Sequence, residues 1–157
     1  MKKVILTIIV CFLAQINNVS AALTCSILPV ALHFGNINTI DLLDETMNTT
    51  ISVTCTSVGN ERVRYTLIFN GGNSGDAQNR LITHTNNADV LTYLIFKNSN
   101  PNRILGDGSS GTRKFSKGYQ INNTTRTDNF TIYGQIPVQT GSIVGYYSDT
   151  VVVTLDY

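Results

Sequence analysis

The end of the chain constrains it most. Gly145 to Tyr157 opens on a Gly-Tyr-Tyr-Ser-Asp turn and then alternates strictly. Val151, Val153, Leu155 and Tyr157 fall on one side, and Val152, Thr154 and Asp156 on the other. An alternation of period two places one set on a buried face and the other in water, the pattern of a half-buried strand. The same period recurs upstream. Ile51, Val53 and Cys55 alternate with Thr50, Ser52, Thr54 and Thr56, and Val63, Tyr65, Leu67 and Phe69 alternate with Arg62, Arg64 and Thr66. Leu91, Tyr93 and Ile95 alternate with Thr92, Leu94 and Phe96, Phe115 to Ile121 is a weaker strand, and Phe130 to Ile136 is closed by Pro137. A further strand is expected from Cys25 to Phe34.

Turn signals separate these runs: Gly59-Asn60, the loop Asn70 to Gln78, Asn98 to Asn102, and Gly106 to Gly111. Ile40 to Met47 reads as one helical turn or an irregular connection. Six or seven short strands, punctuated every eight to twelve residues and without a sustained helical period, predict an antiparallel β-sandwich. The chain is expected to end on this apolar strand with one of its edges uncovered. The expectation is that another polypeptide covers that edge.

The N-terminus reads differently. Lys2 and Lys3 precede an apolar run from Val4 to Leu13, and Val19-Ser20-Ala21 supplies small residues for cleavage. This is the pattern of a secretory signal peptide over residues 1–21, too short for a membrane anchor. The mature chain is then expected to be one domain, residues 22–157, long enough for a single core. Losing Lys2 and Lys3 turns the formal charge of +1 into −1. With no basic run, neither nucleic acid nor an anionic membrane surface is an expected partner.

Cys11 leaves with the signal, so Cys25 and Cys55 remain in an exported chain and are expected to form a disulfide. Closing a loop of that length stabilises by about 3–4 kcal/mol in the loop-entropy picture. No catalytic, cofactor-binding or metal site is expected. His33 sits in a strand beside Phe34, and His84 in what reads as a solvated polar loop. The glycine-rich Asn70–Gly75 run lacks the Gly-Lys-Ser/Thr of a phosphate loop. Asp107 stands alone in its turn, too few oxygens for calcium, and Asp41, Asp44 and Glu45 form no acid–base pair. A small-molecule substrate is therefore not expected.

Several short motifs then fall in a recognisable order. Phe34-Gly35 follows the first cysteine and Ile51-Ser52-Val53-Thr54-Cys55-Thr56 carries the second. Tyr65-Thr66-Leu67, Arg80-Leu81-Ile82, Leu91-Thr92-Tyr93, Gly106-Asp107-Gly108, Tyr133-Gly134-Gln135-Ile136 and Gly145-Tyr146-Tyr147-Ser148-Asp149-Thr150 follow. From Cys25 to Tyr157 the chain resembles the spore coat protein U family, which includes subunits of archaic chaperone–usher pili of the Csu type. It departs from the family in having Leu105, not Trp, before Gly-Asp-Gly, and Asn36-Ile37 where a Tyr often follows Phe-Gly.

The resemblance implies an immunoglobulin-like sandwich lacking its final strand. A periplasmic chaperone completes it first, and a neighbouring pilus subunit's N-terminal extension replaces the chaperone at an outer-membrane usher. It implies a surface fimbrium serving attachment and biofilm formation. By the same analogy the groove lies between the first and last strands, with Ile27, Val151, Val153, Leu155 and Tyr157 as candidate lining residues. Only Ala22, Leu23 and Thr24 would precede Cys25 after cleavage. That is short of the roughly ten residues a donor strand needs, so the chain is expected to accept a strand without donating one, as at a fibre tip. The alternatives are a self-contained secreted coat protein of the same fold, and a carbohydrate-binding module or enzyme on a sandwich.

Overall fold

The computed structural model describes residues 22–34 and 44–157. Among the described residues nine strands follow in order: β1 (Ala22–Ile27), β2 (Glu45–Val58), β3 (Asn60–Phe69), β4 (Arg80–His84), β5 (Val90–Phe96), β6 (Phe115–Asn122), β7 (Thr125–Ile136), β8 (Tyr147–Ser148) and β9 (Val153–Asp156). All pairings between strands are antiparallel. They build a six-stranded sheet, β1-β2-β7-β5-β4-β8, and a three-stranded sheet, β6-β3-β9. The fold is thus the expected all-β sandwich, with a 3-10 turn at Gly72–Ser74.

The core lies between the sheets and is made by the alternating residues. Ile51, Val53 and Cys55 of β2, Val63, Leu67 and Phe69 of β3, and Leu91 and Ile95 of β5 are buried. Aromatic rings tie the layers together: Phe130 of β7 meets Phe115 of β6 at 4.7 Å and Tyr65 of β3 at 6.2 Å between centroids. Such pairs add about 0.5–1.5 kcal/mol beyond the area they bury. Gly59 makes the crossing from one sheet to the other: β2 ends at Val58, and the chain turns at a φ of 98°, open to glycine, to begin β3. Outside, β2 and β7 carry hydroxyls in register. Thr54 meets Thr127 at 3.0 Å and Thr56 meets Thr125 at 2.8 Å. Cys25 lies opposite Cys55 in the β1–β2 pairing and is disulfide-bonded to it, which fastens β1, an outermost strand, to the sheet.

Five expectations need correction. The first strand stops at Ile27 instead of running to Phe34, because Pro29 has no N–H to continue a ladder. The terminal strand begins at Val153, not Val151, and Tyr157 lies beyond it. β7 starts at Thr125, five residues before the expected Phe130. His84, expected in a solvated polar loop, instead ends the strand β4, and its ring packs edge-on against Tyr147 at 5.0 Å. Glu45–Met47 belongs to β2; the rest of the Ile40–Met47 connection lies outside the described residues, apart from Asp44, which accepts the Val138 N–H at 3.1 Å.

Candidate functional site

The described residues contain no group of three or more His, Cys, Asp or Glu side chains that could hold a metal ion. Asp107 is used by its own turn, accepting from the Ser109 N–H and hydroxyl at 2.8 and 2.6 Å. What the fold does present is an apolar groove of about 1240 Å³ along one side of the sandwich. Ile51 of β2, Ile132 of β7 and Leu91, Tyr93 and Ile95 of β5 make its floor. One wall is Ile27 and the segment Leu28–Phe34, which leaves β1; the other is Val151 and Val153 with the loop leading into them.

Both walls border strands paired on one side only. Among the described residues β1 pairs with β2 alone, and β9 with β3 alone. Leu28–Phe34 makes no backbone hydrogen bond to another described residue. Backbone groups on such edges are open to pairing with an added strand.

Of the expected groove residues, Ile27, Val151 and Val153 line it. Leu155 sits on β9 opposite Leu67 and packs against the core without reaching the groove. Tyr157 is 55% exposed and is not part of the lining.

The C-terminal wall is held by polar groups that sequence reading passed over. Arg80 is fully buried and donates to three carbonyls: Ala77 at 2.6 Å, Asn70 at 2.7 Å and Leu105 at 2.9 Å. Burial pushes its pKa down, opposed by Tyr93 and Asp149 nearby. Asn70 in turn grips Val152 twice: its N–H donates to the Val152 carbonyl at 3.1 Å, and its Oδ1 accepts the Val152 N–H at 2.9 Å. Tyr93 on the floor donates its hydroxyl to Asp149 at 2.6 Å, and burial first, then this bond, raises its pKa. The other Asp149 oxygen accepts the Asn73 and Thr150 N–H groups, each at 2.7 Å. A side chain at Gly72 would fall 1.9 Å from Asp149, so the glycine-rich loop is what lets this carboxylate in. Apart from the buried Arg80 Nε, which has no partner among the described residues, these polar groups satisfy one another. The groove therefore offers shape, apolar surface and free backbone.

The rim carries Ile143, Val144 and Tyr146, exposed by 46%, 98% and 87%. Asp89 anchors it, accepting the Ile143 N–H at 2.8 Å and the Tyr147 hydroxyl. Those two bonds, the hydroxyl foremost, hold the Asp89 carboxyl below the usual carboxylate range.

The family profile of the Spore Coat Protein U domain matches residues 10–154. The chain belongs to that family. The Spore Coat Protein U domain here also resembles a solved chain of the complex between chaperone CsuC and tip adhesion subunit CsuE, a pre-assembly complex from the archaic chaperone–usher Csu pili of Acinetobacter baumannii. The likeness has a TM-score of 0.57 at 23% identity. It covers 87% of this chain but only 40% of that one. At that identity the likeness speaks for the fold. No curated protein matches the chain.

Proposed function

We propose that this chain is a non-enzymatic pilus subunit of the archaic chaperone–usher type, completed by an extended segment from another polypeptide. One observation carries the reading: an apolar groove runs over the core between strands that, among the described residues, are each paired on one side only. An inserted strand would receive backbone hydrogen bonds from the exposed edges and seat alternate side chains on the apolar floor. The occupant is a periplasmic chaperone during transit and a neighbouring subunit after assembly at an outer-membrane usher. Family membership and the Csu-type fold support this, as does the export signal read in residues 1–21.

The finer reading is a tip position serving surface attachment and biofilm formation. Ala22, Leu23 and Thr24 are paired with Val58, Ser57 and Thr56. They are thus committed within their own sheet and are not free to complete another subunit. Head-to-tail self-polymerisation through the N-terminus would refute this.

Periplasmic co-expression with and without a chaperone of this class tests the main proposal. The expected result is one-to-one co-purification with the chaperone, and aggregation or degradation without it. A soluble, stable monomer formed at equal yield without the chaperone would favour a self-contained coat protein instead.

A further inference from the structure

Gly134 lies on β7, a strand hydrogen-bonded on both sides, by β2 and by β5. It is buried, and two side chains of the groove wall close over it. A Cβ on Gly134 would stand 2.4 Å from Leu32 Cδ2 and 2.7 Å from Phe34 Cζ. Real carbon contacts begin near 3.5 Å, so no side chain fits at 134 unless something moves. The sheet has little freedom to move, because residues 133–135 of β7 are tied to 94–96 of β5 and 46–48 of β2. The Leu28–Phe34 segment has no backbone bond to another described residue. Its hold on the sandwich is side-chain packing, including Phe34 edge-on to Tyr93 at 6.3 Å between centroids.

We infer that Gly134 is a positioning residue for the groove: its bare backbone is the socket that seats Leu32 and Phe34, and so sets where the Leu28–Phe34 wall stands. The inference rests on the groove being the acceptor of a guest strand. The wall is seated on the same face of β7 that lends Ile132 to the groove floor. A substitution in the middle of β7, whose own bonds would be intact, shifts the wall and misplaces the backbone that an incoming strand must meet.

The test uses a labelled peptide of alternating threonine and valine, about ten residues long, with a lysine at each end. It is captured by refolding the mature chain in its presence, and its dissociation is timed. Gly134→Val is expected to speed dissociation on the order of tenfold, and Gly134→Ala by less, while β-sheet circular dichroism is retained. Adding Leu32→Ala to Gly134→Val relieves the closer of the two contacts, and dissociation is expected to return part of the way to that of Leu32→Ala alone, the reference for this pair because Leu32 itself lines the groove. A merely structural role for Gly134 predicts no such rescue. A wild type and a Gly134→Val variant that release the peptide equally, or a double variant as fast as Gly134→Val alone, would overturn the inference while leaving the groove reading intact. A wild type that captures no peptide would overturn both. If Gly134→Val does not fold, the same comparison is made with Gly134→Ala and its Leu32→Ala double.

Discussion

At the scale of single residues, stability rests on polar groups placed where alternation calls for apolar ones. Arg80 occupies an inward position of β4 and holds three carbonyls, one of them belonging to the residue that grips Val152. Arg80→Met strands those carbonyls and is expected to cost about 3–5 kcal/mol, read as a lower urea midpoint. Arg80→Lys is expected to recover little, because an ammonium cannot reproduce the planar fork. Asp128 is the second such residue, buried on β7 and accepting from the Tyr65 hydroxyl at 2.8 Å. These two explain what the sequence hid. An arginine at the inward start of β4 and an aspartate in the inward row of β7 break the apolar period, so alternation does not announce β4 and marks β7 only from Phe130.

Asp89 adds a pH dependence at the same scale. Its folded carboxyl titrates below the usual carboxylate value. Its contribution is therefore complete above about pH 4 and is lost as acid titrates the folded group. Thermal midpoints followed downward from pH 7 are expected to fall more steeply through the acid range for wild type than for Asp89→Asn.

At the scale of elements, the edges matter most. The Cys25–Cys55 bond fastens β1 to β2 and spans 30 residues. Replacing both cysteines with alanine is expected to cost about 3–4 kcal/mol, measured by denaturation against the oxidised wild type. β9 offers a sharper test because its residues divide. Val151→Asp puts a charge into the apolar groove and is expected to weaken capture of the alternating peptide about tenfold, or roughly 1.4 kcal/mol. Tyr157→Ser, beyond the strand and outside the lining, is expected to leave capture unchanged. Sequence alternation joined Val151 to Tyr157 in one row, but it could not show where along that row the groove ends. The limit is set by Asn70, which grips Val152 ahead of β9, and by Leu67, which takes Leu155 into the sheet pairing. Likewise the run from Cys25 to Phe34 gave the place of the first wall but not its change of character after Ile27, which follows from one missing N–H at Pro29.

At the scale of the whole molecule, the sandwich was legible because most of its strands are written in a period-two code with glycine and asparagine between them. The groove was legible only through resemblance, since a core residue and a groove-floor residue are equally apolar and differ only in what lies above them. Ile51 and Leu91 are buried in the core cluster and still line the groove.

The central claim is that the sandwich has an unfilled strand position beside β9. Amide hydrogen exchange along β9 tests it most directly, on the mature chain alone and on the chain refolded with the alternating peptide. The account predicts fast exchange at the outward-facing amides of Val153–Asp156 in the chain alone, and slowing by on the order of a hundredfold when the peptide is captured. Slow exchange at every β9 amide in the isolated, monomeric chain, unchanged by peptide, would contradict it.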